Sequence, residues 1–482
     1  MSLANSTVRG VIWNFSDMLL RRGLVAATTL VLSYFLSPAD FGLVAMMSVF
    51  LVVLGGLMDS GLKEALIRRK RLSIRLLNTT LWASLWLGCL AYALLFCVAP
   101  WAALFYNEPS LVNLLRIAGL VIIFNALQTA PAARLTQALD FRALMRISLP
   151  ASGFSCLLAL LLAYLGAGVW ALIVQTLAAA AMSTILTWKV AGWRPRLQVD
   201  FKPLVALFRF GYKLFLSNLV ALTVRNAAPS MLGKFLGPTY AGYYYFVDKI
   251  MEMIMGQLVY SVQNVTYPSF SKISRETVRL REAYRKAIEI MVFLVSPLLM
   301  IGAGLAEPLF EVFFSPRWLP AAGSFMWLCF AYLLYPMHAI NLNIIKVVGR
   351  SDIFLWLELL KAAIALSVLW ITLPWGMEAV LLGQVCTSLI CFLPNAMYSK
   401  PLIGYSAFDQ IKDVFLYYAC AAIGGGVAHV IANSLVGYAA ILIVMISGVV
   451  GVLAYLLSCR VLKLRAWQLI SIAFGNFTKR QA

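Results

Sequence analysis

Apolar runs of about 20 residues follow one another from end to end of this chain with only short polar connections, and a run of that length crosses the hydrocarbon core of a bilayer as one α-helix. In lipid each backbone N–H and C=O must find its partner inside the segment, which an α-helix provides. The runs fall near 9–36, 41–62, 78–100, 110–131, 147–165, 168–188, 208–236, 241–264, 286–306, 319–345, 353–373, 376–398, 413–433 and 436–458. No polar stretch between them is long enough to fold as a separate soluble domain. Apolar residues make up 62% of the 482 and charged residues 12%, where a soluble chain carries about a quarter charged. A soluble globular protein is excluded, and an all-α polytopic membrane protein is expected.

The segment 208–236 is the least apolar, with Lys213, Asn218, Arg225, Asn226 and Lys234. Loop charge decides its status. Residues 189–213 hold Lys189, Arg194, Arg196, Lys202, Arg209 and Lys213, and residues 272–286 hold Lys272, Arg275, Arg279, Arg281, Arg285 and Lys286. Basic loops face the cytoplasm, so an even number of crossings separates the two, and the intervening chain fits two helices. The polar segment is then a span facing protein or water. With 14 spans, 31 of the 39 Lys and Arg fall on one side, which predicts that both termini are cytoplasmic. The net charge of +20 is thereby accounted for by topology, and nucleic acid is not an expected partner. Arg9 precedes a long segment without a small-residue cleavage site, so the first helix reads as retained and not as a signal peptide.

Little in the chain suggests chemistry on a substrate. It has no phosphate-binding Gly-rich loop and no zinc-type His pair. The eight cysteines are scattered through apolar segments, and His338 and His429 each lie in a span, reading as interior hydrogen-bonded residues. No metal site or cofactor is expected, and the protein is not expected to be an enzyme.

An internal repeat is visible. Phe35-Leu36-Ser37-Pro38-Ala39-Asp40-Phe41-Gly42 and Phe235-Leu236-Gly237-Pro238-Thr239-Tyr240-Ala241-Gly242 share F-L-x-P-x-x-x-G at an offset of 200. Gly168, Ala171 and Gln175 before and in the sixth span resemble Gly376, Ala379 and Gln384 at the twelfth. Two six-helix lobes follow, 1–190 and 208–400, joined by a cytoplasmic linker at 191–207, with two appended helices and a basic tail at 401–482. Six is even, so the lobes share one orientation as a parallel repeat, the plan of alternating-access transporters with a substrate site between the halves.

Charge within the spans marks the candidate site, since a central Arg costs at least about 2.5 kcal/mol without a partner or water. Asn14, Asp17, Arg21 and Thr28 form one stripe on the first helix, and Asn218 and Arg225 repeat the seven-residue Asn/Arg spacing on the seventh. Asp17 with Arg21, Lys249 with Glu252 and Glu358 with Lys361 stand at helix-pairing spacings. Arg22, Arg116 and Arg225 have no acidic residue three or four positions away. Guanidinium forks suit phosphate oxygens, so Arg21, Arg22, Arg116 and Arg225 are the candidate anion contacts. Asn14, Asn218 and Asn226 are candidate partners for hydroxyls, and Asp17, Asp248, Glu252 and Glu358 are candidate ion-coupling acids. Asp59 and Glu289 lie nearer the cytoplasmic ends and read as interfacial.

The stretch Leu36-Ser37-Pro38-Ala39-Asp40-Phe41-Gly42-Leu43-Val44-Ala45, followed by Asp59-Ser60-Gly61-Leu62 and Ala65-Leu66-Ile67-Arg68-Arg69-Lys70, resembles the polysaccharide transporters of the multidrug/oligosaccharidyl-lipid/polysaccharide exporter superfamily. Their O-antigen and exopolysaccharide repeat-unit flippases, including the colanic-acid exporter type, are most similar. The resemblance implies a bacterial inner-membrane flippase for a polyprenyl-pyrophosphate-linked oligosaccharide, working in membrane lipid beside a polysaccharide polymerase and chain-length machinery. It transfers no binding residue, because the shared motif is a loop and packing signature. Two rivals exist. A cation-coupled multidrug exporter would favour an acidic cavity, against the excess of Arg here. A membrane glycosyltransferase or polymerase would need a substantial outer loop, which the chain lacks.

Overall fold

The computed structural model describes residues 3–59, 62–67, 72–138, 140–193, 195–197, 200, 219–220, 222–274, 276–348 and 350–468. Among these the chain is helical, with a single isolated β-bridge between Val436 and Tyr438. The chain opens with α1 (Leu3–Phe35), α2 (Pro38–Asp59), the short α3 (Leu62–Ile67), α4 (Ile74–Tyr106), α5 (Leu111–Ala118), α6 (Leu120–Gln137), α7 (Phe141–Tyr164) and α8 (Trp170–Ala191). After α9 (222–236) come α10 (Pro238–Lys272), α11 (Thr277–Gly304), α12 (Ala306–Phe313), α13 (Ala321–Tyr332) and α14 (Tyr335–Val347). The last are α15 (Ser351–Thr372), α16 (Met377–Met397), α17 (Ser399–Ile403), α18 (Ala407–Ser434) and α19 (Ala440–Val461).

Each apolar segment read from the sequence contains a described helix, and 12 of these stretches are long and apolar enough to cross a membrane. The other two are α9, of which residues 222–236 are described, and α10, which carries Asp248, Lys249 and Glu252. Some of the described spans are broken, and two of them well inside the span. α5 gives way to α6 at Gly119, where a Cβ would meet Leu95 Cδ2 at 2.4 Å, and α13 to α14 at Leu333 and Leu334.

Local chemistry sets the helix ends. Ser73 accepts from the Leu76 N–H at 3.2 Å to start α4, and Asn107 closes it in the left-handed region at φ 57°. Asp140 accepts from the Ala143 N–H at 3.0 Å to start α7. Ser406 and Asp409 form a reciprocal capping box on α18. Large apolar side chains such as Trp86, Trp101, Leu104, Leu157 and Tyr164 point outward, as a surface solvated by lipid requires.

The chain divides into two compact units, Met1–Tyr245 and Phe246–Ala482, the division falling within α10. In the first, α7 packs on α8 and α1, and α4 on α6 and α2. In the second, α18 packs between α11 and α19, where backbones touch: a Cβ on Gly425 would stand 2.5 Å from Met300 O, and one on Gly424 2.8 Å from Gly451 O. Three pairings recur in both units. The third and fourth spans pack together (α4 on α6, α11 on α13), as do the fourth and sixth (α6 on α8, α13 on α16) and the fifth and sixth (α7 on α8, α15 on α16). Gly168 and Gly376, the matched glycines before α8 and α16, both have positive φ, 56° and 92°.

The repeated F-L-x-P-x-x-x-G motif builds a reciprocal contact inside the first unit. Pro38 and Pro238 each open a helix, the position at which proline's missing N–H is not needed. A Cβ on Gly42 would lie 1.8 Å from Pro238 O, and a Cβ on Gly242 would lie 1.8 Å from Pro38 O. The starts of α2 and α10 therefore touch backbone to backbone, each glycine receiving the other helix's proline. Gly42→Ala and Gly242→Ala should each lower thermal stability by about 1–3 kcal/mol equivalent, the cost of overpacking. Gly55→Ala, on the same helix as Gly42 but with nothing within 4 Å of its Cβ, should be neutral or stabilising by up to about 1 kcal/mol. Melting curves of the three purified variants check this; equal effects at Gly42 and Gly55 would remove the tight crossing.

Candidate substrate site in the membrane interior

α1 crosses as the candidate span Ser16–Phe35 and carries Arg21 and Arg22, both exposed. Among the described residues neither makes a hydrogen bond or an ion pair. The helix spacing allows Asp17 to pair with Arg21, but that pair does not form. α1 packs along α7, and Asp17 accepts a hydrogen bond from the Ser148 hydroxyl of that helix instead. The stripe also meets more than one environment: Thr28 is buried and donates to Leu24 O at 2.8 Å, while Arg21 stands outside. The side chain of Asn14 lies outside the described residues.

On α9, Arg225 is exposed and Asn226 is half-buried. Asn226 Nδ2 donates to Leu222 O at 2.8 Å, and its Oδ1 accepts from Ser48 Oγ of α2 at 3.1 Å. The amide thus already serves one helix-to-helix contact, which the sequence spacing did not disclose. Further along α9, Ser230 bonds the Tyr106 hydroxyl, and the Lys234 ammonium lies 4.9 Å from the centre of the Phe105 ring. Asn218 lies outside the described residues.

Arg116 is held differently from the other arginines. Its guanidinium carbon stands 3.9 Å from the centre of the Phe96 ring of α4, and its buried Nε has no hydrogen-bond partner. Phe96 precedes it by twenty positions, beyond the reach of any helical spacing rule, so the aromatic partner was not legible.

In the second unit the candidate coupling acids Asp248, Glu252 and Glu358 are partnered. Lys249 and Glu252 pair at 2.9 Å, and Lys361 and Glu358 at 2.5 Å, as their i,i+3 spacing predicted. Asp248 accepts from the Tyr332 hydroxyl at 2.9 Å. His338 is hydrogen-bonded inside, between Asn395 Nδ2 at 2.8 Å and Ser388 O at 3.1 Å; His429 is exposed and bonds Gly304 O at 3.0 Å. Among the described residues no three His, Cys, Asp or Glu gather as a metal ligand set. Glu289, read as interfacial, is 2% exposed. It is covered by packing partners more than a hundred residues away, and hydropathy gave no signal of them.

Residues 31–323, more than half of the chain, match the polysaccharide biosynthesis protein family. The chain belongs to that family. A curated relative, the succinoglycan biosynthesis transport protein ExoT of Rhizobium meliloti, is 24% identical over 74% of this chain and 73% of its own length. The lipopolysaccharide biosynthesis protein WzxC of Escherichia coli is 22% identical over 86% of this chain and 85% of its own. Among solved structures, the lipid II flippase MurJ in an inward closed conformation superposes with a TM-score of 0.72 at 14% identity, over 94% of this chain and 98% of its own. The polytopic helical fold of this family member is thus shared with a flippase over nearly the whole length of both chains.

The Arg116–Phe96 contact has a measurable energy. A double-mutant cycle of Arg116→Met and Phe96→Leu, read by thermal unfolding, should give a coupling of about 0.5–2 kcal/mol, the range of cation–π pairs from exposed to desolvated. Additive losses would mean that the ring does not hold the guanidinium.

Proposed function

We propose that this multi-pass protein is a flippase of the bacterial inner membrane that moves a polyprenyl-pyrophosphate-linked oligosaccharide, an exopolysaccharide or O-antigen repeat unit, by alternating access. In this reading the chain has 14 spans, as two parallel six-helix repeats (1–190 and 208–400, linked by 191–207) plus two appended helices, with both termini cytoplasmic. Family membership and the names of the relatives support the substrate class. The observation that carries the site is Arg22, exposed within a span with no described ion partner. A cation kept in a span without a carboxylate is costly unless water or a ligand meets it.

Arg21, Arg22, Arg116 and Arg225 bind the pyrophosphate or an acidic sugar, and Asn14, Asn218 and Asn226 serve hydroxyls. The lipid tail stays in the bilayer. Asp17, Asp248, Glu252 and Glu358 are the acids available for proton or sodium coupling. An acidic drug cavity is disfavoured by the surplus of arginine, and no observation favours a glycosyltransferase.

Arg22→Ala and Arg225→Ala should each reduce polymer export about 10- to 100-fold, the loss of a charge-assisted hydrogen bond of about 1.5–3 kcal/mol, with membrane insertion unchanged. Arg22→Lys should restore part of it, since an ammonium keeps the charge but not the fork. Wild-type export in both alanine variants would refute the site. In a deletion strain, completed lipid-linked repeat units should accumulate facing the cytoplasm; incomplete units would indicate an enzyme instead.

A further inference from the structure

The second unit holds a cluster of ionisable groups outside the proposed substrate site. α11 carries Arg285 and Glu289 toward α18, which brings Asp413, and the turn before α18 brings Tyr405. Arg285 serves two carboxylates at once. Its Nε donates to Glu289 Oε1 at 3.0 Å and its Nη2 to Asp413 Oδ1 at 2.6 Å. Asp413 has a second donor, the Tyr405 hydroxyl, at 2.6 Å from Oδ2. Glu289 has none: its Oε2 is buried without a hydrogen-bond partner.

The other charged groups nearby make their hydrogen bonds elsewhere. Arg465, beyond α19, donates to Glu282 at 3.0 Å, and Lys286 pairs with the same carboxylate at 3.0 Å. Tyr417 on α18 uses its hydroxyl to accept from the Ala466 N–H at 3.0 Å. The Tyr405 phenol is pushed up, first by burial and then by its bond to Asp413, so it stays a donor and gives no proton away. One guanidinium therefore faces two carboxylates inside a candidate span. Asp413, with two donors, is the better solvated. A buried carboxylate with one bare oxygen is the form that a low-dielectric interior disfavours.

We propose that Glu289 binds one proton while Asp413 stays ionised, so that the α11–α18 interface is a one-proton site within the membrane. Releasing the proton leaves two negative charges on one guanidinium and weakens the same interface, which offers the transport cycle a proton-linked step. That use rests on the flippase reading; the proton site itself does not.

Infrared spectra of the full chain in lipid bilayers test it. At neutral pH the wild type should show a protonated-carboxyl C=O band that Glu289→Gln removes. Asp413→Asn should also remove it, because Arg285 then belongs to Glu289 alone. A wild type without the band, a band that persists in Glu289→Gln, or one that survives Asp413→Asn overturns the proposal, and the first of these needs no variant to fold. Linkage supplies a second reading: a proton held by the folded protein and not by the unfolded chain makes stability fall as pH rises. Wild-type melting temperature should therefore decline between about pH 5 and pH 8, and Glu289→Gln should flatten the decline. A Gln variant that melts lower than wild type throughout that window would mean an ionised Glu289–Arg285 pair and would overturn the site.

Discussion

A charged side chain in hydrocarbon persists only beside a partner, a polarisable face or water, and this single cost organises the interior of the molecule. Lys249 leans on Glu252, Lys361 on Glu358, and Arg285 on two acids at once. Arg116 lies on the face of Phe96, where the ring quadrupole replaces a carboxylate. Asp17 and Asp248 take hydroxyl donors from Ser148 and Tyr332. Arg21 and Arg22 on α1 are among the cations that remain exposed in a candidate span without a described partner.

Helix contact in lipid cannot rely on the hydrophobic effect, because lipid tails are as apolar as leucine. Close approach of backbones takes its place. Gly42 and Gly242 each admit the other helix's proline carbonyl, and Gly424, Gly425 and Gly451 let α18 lie against α11 and α19. The repeat in the sequence is thus a repeat of contact geometry: the same motif supplies both the proline that opens a helix and the glycine that lets a second helix reach it.

Much of this was legible beforehand, and the reasons are local. Apolar runs of spanning length announced the helices. The i,i+3 pairs formed because both partners sit on one helix. What escaped the sequence depended on contacts across long separations. Asp17 left Arg21 for Ser148, 131 residues away, once α7 came alongside α1. Asn226 was drawn to Ser48, 178 residues away. Glu289 looked interfacial until α18 covered it, and its shared guanidinium appears only when residue 413 is set beside residue 285.

The central claim is that arginines in the spans meet a phosphorylated carrier. Binding to the purified protein in bilayers tests it directly, by comparing a polyprenyl-pyrophosphate-linked sugar with the same polyprenol lacking its phosphates. The account predicts binding of the charged carrier at least about 10-fold tighter, a difference of about 1.4 kcal/mol or more, with the advantage shrinking as salt rises. Equal affinity for the two carriers would contradict it.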